Sequence, residues 1–156
     1  MNIAITIVAA LAVAAPAVIL TGDKALVISA QQVQAQQAEA VPLAKEKGSG
    51  GGVLASYGNL ALNLSVRTAS GGAEIHAHFD DLMIVQQGSA TLITGGTVID
   101  AKLGANGETK GSGIKDGVTQ TIGVGDYVIV PAGVPHQLLI PPGTTYSALV
   151  AKVKEP

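Results

Sequence analysis

Gly125-Asp126-Tyr127-Val128-Ile129-Val130-Pro131-Ala132-Gly133-Val134-Pro135-His136 reads as a short strand, a rigid turn and a histidine placed at the start of the next strand. Tyr127 to Val130 has the aromatic and β-branched content of a strand. Pro131 and Gly133 fix the backbone of the turn, so His136 is oriented at low entropic cost.

The same punctuation runs through most of the chain. Twenty glycines and seven prolines in 156 residues, with plentiful Val, Ile and Thr, favour short strands joined by turns. Asn59 to Arg67 alternates, with Leu60, Leu62, Leu64 and Val66 on one face and Asn63, Ser65 and Arg67 on the other, which is a half-buried strand. Ala90 to Thr94 and Thr97 to Ala101 flank Gly95-Gly96 and read as an antiparallel hairpin, which suggests a meander. Lys102 to Gly117 is glycine-rich and charged and reads as a long surface loop without a chemical role. Val118 to Ile122, Gln137 to Ile140 and Tyr146 to Val153 bring the total to roughly nine or ten short strands, the spacing of a sandwich or barrel.

Two of the three histidines lie in Glu74-Ile75-His76-Ala77-His78-Phe79-Asp80-Asp81, in a chain that is only 13% charged. On one continuous strand, Glu74, His76, His78 and Asp80 project to the same side. Two neutral imidazoles and a nearby carboxylate suit a first-row transition metal, with open positions once a third histidine joins them. Alone, the stretch fits the solvated face of a half-buried strand equally well. His136 tips the balance towards a site.

Composition narrows the function classes. A formal charge of -2 with no basic run argues against nucleic acid. One Phe, three Tyr and no Trp leave few platforms for stacking sugars or bases. The absence of cysteine removes disulfides and thiolate chemistry. Residues 1–20 carry no charged side chain and read as a signal peptide or membrane anchor, with Ala15 to Ala17, Ala38 to Ala40 and Val33-Gln34-Ala35 as cleavage options. The expected division is therefore 1–40 for that segment and its Gln/Ala-rich tail, 41–53 for a flexible glycine-rich linker, and 54–156 for the folded domain. The domain is expected to be periplasmic or secreted, or else anchored with the membrane touched only by the N-terminal segment.

Together the two histidine stretches resemble the paired motifs of the cupin superfamily, over about residues 56 to 154. The second motif, Gly-x5-Pro-x-Gly-x2-His, matches at Gly125, Pro131, Gly133 and His136, with Ile140 at a position usually held by Asn. The first motif runs His-x-His, three or four residues, Glu, six residues, Gly. His76, His78 and Gly88 match it, but only two residues separate His78 from Asp81, and Asp replaces Glu. The resemblance implies an all-β fold, an antiparallel, jelly-roll-like cupin β-barrel preceded by the hydrophobic N-terminal segment. It implies one divalent transition metal (iron, manganese, zinc, nickel or copper) held by His76, His78, His136 and an acidic residue. Asp81 is the positional choice, with Asp80, Glu74 and Gln86 as alternatives, while Tyr127 and Gln137 are not included. The implied function is dioxygenase-, isomerase- or lyase-like chemistry on a small molecule, with a homodimer as partner state. The alternative is a non-enzymatic small-ligand or metal-binding cupin.

Overall fold

The apolar alternation of Leu60 to Val66 has two partners, a helix on one side and a cleft on the other, and the architecture follows from that division. The computed structural model describes residues 18–21 and 25–156. In chain order the elements are β1 (Val18–Ile19), α1 (Ala30–Lys47), β2 (Ser49–Tyr57), β3 (Leu60–Arg67), β4 (Ala73–His76), β5 (Phe79–Gln87), β6 (Ser89–Thr94), β7 (Thr97–Ile99), β8 (Lys102–Leu103), β9 (Glu108–Gly111), β10 (Gly113–Lys115), β11 (Val118–Gly123), β12 (Tyr127–Val130), β13 (His136–Leu139) and β14 (Tyr146–Lys154). One six-stranded sheet has the order β1-β2-β3-β14-β5-β12 and faces another of order β11-β6-β13-β4-β9-β8, while β7 and β10 form a separate pair. Apart from the parallel pair β1 and β2, all the ladders are antiparallel.

The core lies between the two sheets. Met83, Val85, Ala148 and Val150 from the first sheet meet Ala90, Leu92 and Ile122 from the second, with Val130, Ile140 and Tyr146 completing the cluster. A second cluster lies outside the first sheet, where Ala40 and Ala44 of α1 pack on Leu64 and Val66. The Leu64 and Val66 end of the apolar face of β3 is thus covered by the helix.

The expected linker at 41–53 is not a tether: residues 41–47 belong to α1 and 49–53 to β2. Helix-favouring Gln and Ala supply the propensity. Ser29 and Gln32 close a capping box at the start, and Gly48, at φ 84°, ends the helix with Lys45 and Lys47 in its last turn. Pro42 in the helix and the glycines after it mask this pattern in the sequence. Those glycines serve close packing: a Cβ at Gly50 would lie 2.5 Å from the Ala40 carbonyl oxygen of α1, and one at Gly51 2.1 Å from the Leu64 carbonyl oxygen. The cleavage options at Ala38 to Ala40 and Val33 to Ala35 fall inside this helix, where Ala40 is buried. The Ala15 to Ala17 option and most of the apolar N-terminal segment lie outside the described residues.

Three further expectations change. Gly95 and Gly96 join β6 to β7, but β6 pairs with β11 and β13 while β7 pairs with β10, so the glycines mark a departure from the sheet and the topology is no meander. Lys102 to Gly117 contains β8, β9 and β10, and β9 is an inner strand of the second sheet. The histidine stretch is not one strand, because β4 and β5 lie in different sheets and Ala77 and His78 form the turn between them.

Gly50→Ala should therefore destabilise the fold by about 1–3 kcal/mol through overpacking against α1. Urea unfolding measures this; in a true linker the change would stay within about 0.5 kcal/mol.

Candidate metal centre

Three neighbouring strands of the second sheet set the site by register alone. His136 on β13 lies opposite Glu74 on β4, and on the other side of β4 the partners are Lys110 for Glu74 and Glu108 for His76. Glu74 and His76 are two apart and share a face. Their donor atoms and one of His136 all lie within 4.8 Å of one another. The two imidazole rings are 5.0 Å apart between centroids.

The first sheet contributes from across the barrel. Asp81 on β5 is opposite Lys152 on β14, whose ammonium donates to both carboxylate oxygens at 2.7 and 3.0 Å. The second of those oxygens, Oδ2, is 3.5 Å from His76 Nε2. Both imidazoles are buried, as is Asp81.

Each ring is held from behind. His76 Nδ1 lies 2.6 Å from Glu108 Oε2, and His136 Nδ1 lies 3.2 Å from the Val134 carbonyl oxygen. When Nδ1–H donates in this way, Nε2 is left as the lone-pair nitrogen, and the acceptor fixes the ring. Glu74 is the third donor, with Lys110 Nζ at 3.7 Å on its solvent side.

The cleft in front of these groups has a volume of about 550 Å³. Its far wall is the polar face of β3, Asn63, Ser65 and Arg67, together with the glycines of β2. The alternation of β3 was legible in the sequence. That its polar side faces a cleft was not.

The predicted site residues divide. His76 and His136 come together, and Asp81 faces them across the barrel. His78 does not join them: it is exposed in the turn, its ring beside Gly107. Strand alternation placed it with His76, and the change of sheet at Ala77 and His78 cancels that alternation. Asp80 points away and accepts from the Ala132 backbone N–H at 2.8 Å, which pins the Pro131 to Gly133 turn. Gln86 is exposed. Gln137 lines the cleft with its amide donating to the Gly71 carbonyl oxygen, and Tyr127 is exposed on the opposite edge of the sheet.

Glu74 is therefore the carboxylate beside the two histidines. A signal for it was present in the motif spacing. Glu74-x-His76, four residues, Asp81, six residues, Gly88 satisfies the first cupin motif without a deletion, with Glu and Asp in place of its first His and its Glu. Glu108, Lys110 and Lys152 carried no such local signal, because their places depend on non-local strand register.

The electrostatics follow the geometry. The Asp81 carboxylate lifts the His76 pKa above its ordinary 6.5, burial and Lys152 oppose the shift, and Glu108 adds to it. Burial raises Asp81, but His76 and Lys152 outweigh it and hold the carboxyl below its ordinary value. Burial pushes His136 down. In the metal-free protein the raised His76 thus contributes stability fully present below the ordinary histidine value and lost as pH rises through the raised one. His136 acts in the opposite sense, its contribution present above the ordinary value and lost as pH falls through the depressed one. Imidazole NMR of chelator-treated protein should show His76 titrating above 6.5 and His136 below it. Asp81→Asn should bring His76 down and weaken the loss of stability at higher pH.

No family model and no curated protein matches the chain. Solved structures do. A protein with a double-stranded β-helix domain from Klebsiella pneumoniae is similar at TM-score 0.58 and 12% identity, over 84% of this chain and 91% of that one. A cupin domain from Schizosaccharomyces pombe is similar at TM-score 0.52 and 11% identity, over 69% and 61%. A DMSP lyase from Ruegeria pomeroyi is similar at TM-score 0.51 and 16% identity, over 69% of this chain and 48% of the lyase. The chain thus spans less than two thirds of the last two proteins. At these identities the likeness is one of fold, and with two facing antiparallel sheets around a His-Glu cluster the chain has the cupin, double-stranded β-helix fold.

Proposed function

We propose that this chain is a metal-dependent cupin in which Glu74, His76 and His136 hold one divalent transition metal and the adjoining cleft admits a small organic molecule. The observation that carries the reading is the cluster itself: two imidazoles, each with Nδ1 committed to an acceptor, and a carboxylate, with donor atoms within 4.8 Å. Two histidines and one carboxylate with open positions form the donor set of non-haem iron(II) oxygenases, and the same ligand types also accept manganese, zinc, nickel or copper. Bound there, the metal would polarise a substrate oxygen or supply redox chemistry.

The protein groups do the positioning. Glu108 and the Val134 carbonyl fix the rings, and such partners commonly affect metal affinity by about 10–100-fold. Asp81, held below its ordinary value by His76 and Lys152, stands 3.5 Å from His76 Nε2, close enough for both atoms to reach one ion at bond lengths of about 2.0–2.2 Å. Fold likeness does not select among oxygenation, isomerisation and lyase chemistry. The second reading, a binding protein without turnover, is favoured by one observation: the first motif is irregular, with Glu74 and Asp81 standing where its first His and its Glu are usual. On the apolar run at 1–20 alone, the proposed setting is outside the cytoplasm.

Metal analysis after supplementation with iron, manganese, zinc, nickel or copper tests the site. His76→Ala and His136→Ala should each lose nearly all bound metal, Glu74→Gln should weaken it, and His78→Ala should retain it. Wild-type protein holding less than about a tenth of an equivalent would sink the reading. Affinity should rise with pH through the raised His76 pKa, since His76 must release its proton to bind.

A further inference from the structure

The cleft contains three cationic side chains, and two are already paired. Lys152 is held by Asp81, and Lys110 lies 3.7 Å from Glu74. Its three carboxylates are equally accounted for, since Glu108 is engaged with His76. Arg67 is left over. Among the described residues it forms no ion pair, and its Nε is buried without a hydrogen-bond partner.

Such a donor is normally satisfied. Arg67 sits at the end of β3, opposite Ser49 on β2 and Tyr146 on β14, on the face that lines the cleft. Gly71 leaves room for the guanidinium: a Cβ there would stand 2.7 Å from Arg67 Nη1. Met83, Leu138 and Val150 supply an apolar wall between this corner and the His-Glu cluster. One end of the cleft thus offers a planar fork of N–H donors with one uncompensated positive charge, and the middle offers an apolar surface.

We propose that the ligand of this cleft is a small organic carboxylate, anchored through its carboxylate by the Arg67 guanidinium with its carbon body on the apolar wall. The inference rests on the reading of the cleft as a ligand site next to a metal, but the anchoring itself needs no metal. A guanidinium matches a carboxylate through two parallel N–H···O bonds, and a single guanidinium with no second free cation suits a monoanionic group better than a phosphate dianion. Arg67 is a binding residue in this scheme. It leaves the far end of the ligand towards His76 and His136.

Calorimetric titration of full-length protein with malonate, succinate, glutarate and benzoate, against their amides and inorganic phosphate, tests the proposal in chelator-treated and metal-supplemented samples. At least one carboxylate should bind about tenfold or more tighter than its amide. Arg67→Met should abolish that preference with unchanged metal content, and Arg67→Lys should restore only part of it. Gly71→Ala, at a position of ordinary backbone, should also weaken carboxylate binding by displacing the guanidinium, so it serves where Arg67→Met fails to fold. Amides binding as well as acids, phosphate binding more tightly than every carboxylate, no carboxylate binding, or undiminished binding in folded Arg67→Met would each overturn the proposal. Metal bound without carboxylate preference removes this inference alone, whereas carboxylate preference in a protein that binds no metal removes the metal reading and leaves Arg67 standing.

Discussion

His76 and Asp81 are five residues apart in the chain, yet they face each other from opposite sheets with 3.5 Å between Nε2 and the nearer carboxylate oxygen. The two-residue turn at Ala77 and His78 makes this possible, since it takes the chain across the barrel between β4 and β5. Three backbone hydrogen bonds hold that crossing: Ala77 donates to Gly107, Gly133 to the His76 carbonyl, and Glu155 to the His78 carbonyl. Loops from three other parts of the chain therefore converge on one turn. Were the turn straightened into a continuous strand, His76 and Asp81 would lie on opposite faces of a single sheet, because an odd separation reverses the side.

Charge is balanced locally around that crossing. Asp81 answers Lys152, Glu108 answers His76, and Glu74 answers Lys110 at longer range. A buried carboxylate without such a partner would protonate, and a buried imidazolium without one would lose its proton. His136 shows the second outcome: its ring is hydrogen-bonded to a backbone carbonyl and not to a carboxylate, and burial depresses it while His76 is raised by its neighbours. Two adjacent rings of the same residue type are thus biased in opposite directions, one towards keeping its proton and one towards losing it.

Much of this was readable from local pattern. The β3 alternation and the Pro131 to Gly133 turn carried two walls of the barrel and placed His136 at the head of β13. The His-x-His spacing and strand alternation point equally to His76 and His78, and the turn at Ala77 and His78 that separates them is not revealed by composition. Glu108 and Lys152 became visible only through the pairing of β9 with β4 and β14 with β5, since long-range register is set by the packed whole. The glycines after Lys47 misled for the opposite reason. Glycine is used both where chain must be loose and where backbones must touch, and only the neighbour distinguishes the two.

That glycine run has a mechanical meaning for the cleft. Along Gly50 to Gly52 the barrel wall has no side chains, with Ala40 and Ala44 of α1 against Gly50 and the cleft along the whole run. At Gly50 one stretch of bare backbone meets both α1 and the cleft. Elsewhere a binding cavity adjusts its size by rotamer changes, but a bare backbone has no rotamers to change. On this side the width of the cleft is consequently set by how deeply the helix is seated, so a substitution on α1 that never touches a ligand would still resize the chamber behind it.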